Sequence, residues 1–282
     1  MWGPERKPAA VSLTFDHLGE AAAIEQNRWP ADQPIGQHFS VTRVLPRLLD
    51  LLGGLGVRAT FFVEGWNAEV YPDALRSLAA AGHEVGYHGW RHESWARLTD
   101  AEAGALLERG SAALGQLGIQ PRGLRAPGGA QPESTLKLLP SYGFTYFSLP
   151  GRAPSLYDGL VSLPYEWHQI DAFYYSPRLR DLRQARGYGP EALPPPALQK
   201  TLDAVLDQPG SYQTLLFHTQ FLGEPDEWAI FEHSVRRVAR SADIWCAPQH
   251  ELASWIRAHP ADFPTGLQLD EASWDPADFS YG

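Results

Sequence analysis

The sequence has a single cysteine, Cys246, in 282 residues. No disulfide can form within one chain, and a zinc site built from cysteines is excluded. Any metal must therefore be held by histidine and carboxylate. Long apolar runs are also missing. No stretch of about 18 apolar residues occurs, so no helix is expected to span a membrane. Cations are in deficit: 23 Lys and Arg stand against 33 Asp and Glu, a formal net charge of −10. Phosphate contacts need a basic face, so a nucleic-acid partner is not expected. The N-terminal MWGPERKPAAVSLTFD runs into a strand-like stretch without an apolar leader. A signal peptide is not expected, and the cytoplasm is the expected compartment. Internal repeats and low-complexity blocks are absent as well.

What is present is an ordinary globular balance, 44% hydrophobic and 20% charged. A main reading as a disordered chain is excluded. The length lies near the upper edge of one domain. The reading is a single catalytic domain over 1–282, with a core from about 11 to 258. The tail, 259–282, reads as irregular, and packs only if Phe263, Trp274 and Phe279 find a surface.

Short apolar runs alternate with amphipathic stretches. Val11–Phe15, Arg58–Val63, Glu84–Tyr87, Gly123–Arg125, Phe144–Leu149, Leu160–Leu163, Tyr212–Phe217 and Asp243–Cys246 read as strands. Helices are expected over Val41–Leu55, Tyr71–Ala81, Asp100–Leu117 (capped by Thr99), Ser134–Tyr142, Ala197–Leu206, Trp228–Ala239 and His250–Ala258. This alternation predicts an α/β fold with a mainly parallel sheet, better suited to a barrel than to an open sheet. Two segments break the rhythm, Gly19–Gln37 and Glu166–Pro196. Both are too long for ordinary connections, and such loops usually carry function.

Four polar groups close apolar strands. His88-Gly-Trp-Arg-His92 follows Glu84–Tyr87. Histidines four apart share one face of a helical turn, where both can reach one ion. They could equally be two solvated loop residues. Thr14-Phe15-Asp16-His17 ends the first strand, where parallel α/β folds carry their chemistry. Asp16 could instead cap the next segment. Arg125-Ala-Pro-Gly-Gly129 places an Arg able to hold a carboxylate in bidentate fashion, or forms a simple turn. Leu215-Leu216-Phe217-His218 offers an imidazole near neutral pKa as a general acid, or a structural His.

In this order, the four groups resemble the motifs of the NodB-homology polysaccharide deacetylases, carbohydrate esterase family four. The T-F-D-D motif stands here as Thr14, Phe15, Asp16, His17. The H-(S/T)-x-x-H motif stands as His88, Gly89, Trp90, Arg91, His92. R-x-P stands as Arg125, Ala126, Pro127, and L-x-H as Leu216, Phe217, His218. RATFFVEG and AAGHEVGYH resemble the family around its second and third strands, and the likeness runs from about Val11 to Ala258. It implies a distorted (β/α) barrel of about seven strands, with the active site at the strand C-termini. It also implies a divalent metal, zinc by preference.

Residue by residue, the resemblance implies Asp16 as catalytic base and His88 and His92 as metal ligands. It implies Arg125 as the residue orienting the base and His218 as general acid. Asp171 is the candidate partner of that acid. Trp90, Pro127, Trp167 and Tyr174 are candidate substrate contacts, and the aromatic loop from Tyr165 to Tyr175 could stack on a ring or pack on the barrel. Arg178, Arg180, Arg183 and Arg186 form a basic cluster that fits a solvated face or a phosphate-bearing substrate.

Two departures stand out. The family's second Asp, a metal ligand, is His17, and its Ser/Thr after the first ligand His is Gly89. A His₃ set still suits zinc, so His17 is expected as third ligand, with Glu20 as fallback. The exchange is expected to leave the site one negative charge short. The activity implied is metal-dependent hydrolysis of a carbon–nitrogen bond, most simply N-deacetylation of an N-acylated sugar. Hydrolysis of a small or cyclic amide, as in allantoinase-like relatives, is a second reading. A metal-impaired carbohydrate-binding homologue is a third. The oligomeric state is not determined by the sequence.

Overall fold

The computed structural model describes residues 1–207, 210 and 212–268. Trp274 and Phe279 lie outside them. Among the described residues, nine strands form one sheet: β1 (Ala9–Asp16), β2 (Thr60–Val63), β3 (Glu84–Tyr87), β4 (Gly123–Leu124), β5 (Tyr146–Phe147), β6 (Ser155–Tyr157), β7 (Leu160–Ser162), β8 (Tyr212–His218) and β9 (Ile244–Cys246). Their order is β6-β7-β5-β4-β3-β2-β1-β8, with β9 beside the first half of β1. Every pairing is parallel except β6 with β7. The sheet curls into the expected (β/α) barrel, with helices between most strands.

The strand face decides what reaches the site. β1 is buried along its whole length, as parallel strands covered on both sides are. Val11, Leu13 and Phe15 pack in the large cluster shared with helices such as Leu45–Leu55 and Pro225–Arg240. Ala10, Ser12, Thr14 and Asp16 alternate onto the other face. Ala10 there joins Phe62, Tyr146, Val161 and Tyr212 in a second cluster. That cluster is completed by Leu252 and Ile256 of the helix Gln249–Ala258. This helix begins at the N-terminal ends of β2 and β3, where Thr60 Oγ1 accepts from Gln249 N at 2.8 Å and Glu84 Oε2 from His250 N at 2.9 Å. The opposite, C-terminal rim is left for the site.

The circle is completed between β7 and β8 by the segment that follows β7. Thr214 Oγ1 donates to the Pro164 carbonyl at 2.7 Å, Gln169 Nε2 to Gln213 Oε1 at 2.6 Å, and Ile170 bridges Leu216. The strand count exceeds the seven or so expected. β6 was not expected at all. It forms a hairpin with β7 through Asp158 and Gly159, both at positive φ (47° and 78°), the two-residue turn that Asp-Gly favours. The tail is not wholly irregular either. Thr265 bridges Leu156 of β6, and Phe263 packs on Trp2 with ring centroids 5.2 Å apart.

The expected helices are found with small shifts at their ends. Thr99 caps Asp100–Gly115 in a reciprocal box with Glu102. The two long segments hold short helices of their own, Ala21–Glu25, Asp171–Tyr175 and Arg180–Ala185.

Candidate active site

Strand register brings the site together. Asp16 at the end of β1 pairs with His218 at the end of β8 and with Phe62 of β2. Val63 pairs with Tyr87, and Tyr87 with Leu124. Glu64, His88 and Arg125 therefore follow one another around the rim. A cavity of about 880 Å³ opens here, lined by Asp16, His17, His88, His92, Pro127, Trp167 and His218 among others.

Arg125 is fully buried and all three of its guanidinium nitrogens are engaged. Nη1 donates to Asp16 Oδ1 at 2.6 Å and Thr14 Oγ1 at 2.9 Å. Nε and Nη2 donate to Ser148 Oγ at 3.2 and 2.9 Å. The guanidinium lies over the rings of Phe62 (4.2 Å) and Tyr165 (5.1 Å). Asp16 is thus fixed through Oδ1, and Oδ2 has no protein donor among the described residues. Removing Arg125 would strand a buried carboxylate, at a cost of about 3–5 kcal/mol.

His218 is anchored from behind. Its Nδ1 lies 2.6 Å from Asp171 Oδ1, and its backbone N–H donates to Asp171 Oδ2 at 2.7 Å. Burial alone would lower this imidazole, but the charge and hydrogen bond of Asp171 outweigh it and hold the pKa above its ordinary value. Nε2 is the ring nitrogen left for chemistry.

His17 sits at φ 66°. That left-handed turn lets consecutive side chains, Asp16 and His17, both line the cavity. A non-glycine residue there costs about 1–2 kcal/mol. Glu64 offsets this. Its buried carboxylate takes His17 Nδ1 at 2.5 Å, Leu18 N at 3.2 Å and Asn67 Nδ2 at 3.1 Å, and a bond to a charged group contributes about 1.5–3 kcal/mol. Burial alone would raise the Glu64 carboxyl, but His17 opposite, with the further His residues, brings it down to about 2. A carboxylate thus stands directly behind His17, a charge that the sequence reading did not count. The sequence signal was the same as for Asp16, a charged residue closing an apolar strand.

His88 and His92 do not share a helical turn. The segment is irregular, with Gly89 and His92 at φ 80° and 81°. The Glu93 carboxylate folds it by accepting from Trp90 N and Arg91 N, each at 2.9 Å. A Cβ on Gly89 would meet Glu93 Oε2 at 2.8 Å, so this loop needs glycine where the family pattern has Ser or Thr. The ring centroids of His88 and His92 still lie 5.2 Å apart, and those of His17 and His92 5.5 Å. His88 Nδ1 is fixed on the Arg125 carbonyl at 2.8 Å. Burial lowers the pKa of His88, and that of His92 further, with the neighbouring imidazoles adding to it. Both are held neutral, the form that binds a metal.

Among the described residues, no three His, Cys, Asp or Glu side chains form a ready-made ion site. The donor chemistry of His17, His88 and His92 nevertheless suits a zinc-like cation. Two of the rings are pinned through Nδ1 to a carboxylate and a backbone carbonyl, the usual backing of metal-binding imidazoles. Glu20 is not so placed. It is fully buried, and its two oxygens accept from Gly36 N at 2.6 Å and Tyr71 Oη at 2.5 Å. It pins the 19–37 segment.

Of the candidate substrate contacts, Pro127 and Trp167 line the cavity. Trp90 and Tyr174 are not among its lining residues. Trp90 lies beneath the Arg109 guanidinium at 3.6 Å, and Tyr174 Oη is bonded to Thr201 Oγ1 at 2.8 Å and to the His168 carbonyl at 3.1 Å. Both pack the scaffold.

A family model described as polysaccharide deacetylase matches residues 3–147, half of the chain, and the chain belongs to that family. The match covers Asp16, His17, Glu64, His88, His92 and Arg125, while Asp171 and His218 lie beyond it. The chain is 33% identical over 136 residues to a peptidoglycan-N-acetylglucosamine deacetylase of Bacillus cereus, which is 48% of this chain and 42% of that protein. It is 38% identical over 127 residues to a chitin deacetylase of Colletotrichum lindemuthianum, 43% of this chain and 42% of that one. The alignments thus span under half of these curated relatives. A solved Mycobacterium smegmatis structure, assigned as a polysaccharide deacetylase, matches 96% of this chain and 97% of its own at 29% identity, with a TM-score of 0.80. An allantoinase shares the fold at 17% identity and a TM-score of 0.73, over 92% of this chain and 93% of its own.

Proposed function

We propose that this chain hydrolyses the amide of an N-acetylated sugar, releasing acetate and leaving the free amine. The observation that carries the reading is the adjacency of two differently prepared groups. Asp16 and His218 are register partners at the ends of neighbouring strands, one tied to Arg125 and the other to Asp171. Asp16 Oδ2, free of protein donors among the described residues, takes a proton from the attacking water. His218 Nε2, protonated through the support of Asp171, gives a proton to the departing nitrogen. Arg125 keeps Asp16 aimed while it is itself shut away from the cavity by its own bonds. Pro127 and Trp167 offer apolar surface for the sugar.

The same cavity would hold a divalent ion at His17, His88 and His92, zinc by donor type. Bound there, it supplies the polarisation of the carbonyl and the acidification of water that such ions give. The family names, and the sugar amides in the names of its relatives, support this reading. Retention of the acid, the base and both their partners speaks against a chain that only binds carbohydrate.

The test is acetate release from N-acetylglucosamine oligomers by the purified protein, alongside its ion content. Acetate release, with about one ion per chain that is lost when His88 and His92 are both replaced by Ala, supports the reading. Ring opening of a cyclic amide with no acetate release from any sugar would replace it with the allantoinase-like alternative.

A further inference from the structure

The loops around the cavity touch one another in sequence. The two long segments that interrupt the strand–helix rhythm, 19–37 and 166–196, meet at its rim. Gln26 ends the Ala21–Glu25 helix of the first, and its Oε1 accepts from Arg178 Nη1 in the Pro177–Leu179 turn of the second. Both side chains line the cavity that holds Asp16 and His218. One residue earlier, Glu25 Oε2 lies 3.0 Å from Arg91 Nε, which ties the first segment to the His88–His92 loop. That loop abuts the one after β4, where a Cβ on Gly89 would touch Pro127 Cγ at 3.5 Å. The loop after β4 then meets the chain entering the second long segment, because the Tyr165 hydroxyl occupies the space that a Cβ on Gly129 would take. From Tyr165 the chain runs past Trp167 back to Arg178, and the circuit is complete.

Neither long segment is loosely held. Glu20 ties the first to Gly36 and Tyr71. In the second, Arg183 is fully buried and donates to the carbonyls of Phe173 (2.8 Å), Ser176 (2.7 Å) and Pro190 (3.0 Å). It thereby fixes the turn that carries Arg178. Asp16 and His88 are buried below this rim, while Glu25, Gln26, Arg91 and Arg178 on the rim are partly exposed. The contacts make a collar around a cup, not two lips facing each other across a groove. The cup's volume of about 880 Å³ lies within the roughly 300–1,000 Å³ that encloses one small ligand.

An inner unit of a polysaccharide is bonded to neighbours on two sides, so its chain must leave a site by two routes. An end unit needs one route, and a free sugar none. We propose that the cavity takes its N-acylated sugar as a free molecule or as the end unit of a chain, and that the collar shuts out inner units. The inference rests on the deacetylation proposed for the same cavity and names the form in which the substrate is taken.

Binding and product position test it together. Dissociation constants of the full chain are measured for N-acetylglucosamine and for its oligomers of three and six units. The constants, per mole of chain, are expected to agree within about threefold. Mass spectrometry of the treated six-unit oligomer is expected to find the free amine at an end unit. A six-unit oligomer that binds about tenfold or more tighter than the single sugar, or a free amine on an inner unit, overturns the cup. Either result leaves the proposed reaction standing. Failure to bind any of these sugars would count against the reaction itself and would take the inference with it. The collar is tested as the cause by the variant carrying Glu25→Ala and Gln26→Ala, which removes two of its links. The six-unit oligomer is then expected to gain at least about threefold over the single sugar, with free amine appearing on inner units. Unchanged length dependence and unchanged product position in this variant would overturn the collar's role.

Discussion

The two walls of the cavity are built differently. On one, formed from the ends of β1, β4 and β8, each reacting side chain is held by a single strong partner. Arg125 holds Asp16 at 2.6 Å, and Asp171 holds His218 at 2.6 Å. On the other, His17, His88 and His92 face one another with centroids 5.2 and 5.5 Å apart. Two of these rings are fixed from behind, by Glu64 and by the Arg125 carbonyl, and among the described residues no hydrogen bond links one ring to another. The Asp16–His218 wall is organised by two side-chain pairs. The imidazole wall fixes the orientation of two of its three rings.

The comparison breaks most visibly at His218. His218→Ala is expected to lower turnover of amide substrates by roughly 10²–10⁴-fold, and turnover of activated esters far less, because a good alcohol leaves without a proton. Parallel kinetics on the two substrate types check this. Equal losses on both would reassign His218 to binding.

The opposite wall is probed from behind. Glu64→Gln keeps the shape but weakens the hold on His17. Affinity for zinc, measured by competition with a chelator, should fall by roughly 10–100-fold. An unchanged affinity would separate His17 from the ion. A third variant sharpens the same point. His17→Asp restores the family's residue but sets a carboxylate against buried Glu64. Like charges there should cost about 1–3 kcal/mol, read as a lower melting temperature, and adding Glu64→Gln should recover most of it.

The smallest effect concerns pH. Asp171 holds the His218 pKa above its ordinary value, so the protonated acid persists as pH rises and is lost only on the alkaline side. Asp171→Asn removes the anion. The alkaline limb of turnover should then move to lower pH. An unmoved limb would mean that another group sets it.

Much of this was legible in the sequence, for physical reasons that can be named. A polar residue that closes an apolar strand must sit at the barrel rim, which located Asp16, Arg125 and His218. The same rule applied to RATFFVEG would have found Glu64, and applied to Tyr146-Phe147-Ser148 it would have found the Ser148 that braces Arg125. Asp171 was named only as the candidate for the acidic partner that the family resemblance implies. The helical reading of His88–His92 failed because Gly89 and His92 adopt positive φ, which spacing alone does not reveal. Trp90 and Tyr174 were taken for substrate contacts because aromatic residues suit both a sugar and a core, and only packing separates the two. β6 was missed although Asp158-Gly159 is a hairpin signal, because its three residues are too few to show alternation. The bridge from Thr265 to Leu156 leaves no periodic trace at all.

The central claim is that Asp16 is the base and not an ion ligand. Its most direct test is Asp16→Asn, with acetate release and bound ion measured on the same preparation. The account predicts a rate lowered by roughly 10²–10⁴-fold with the ion still bound. A rate near that of the wild type, or loss of the ion together with the activity, would contradict it.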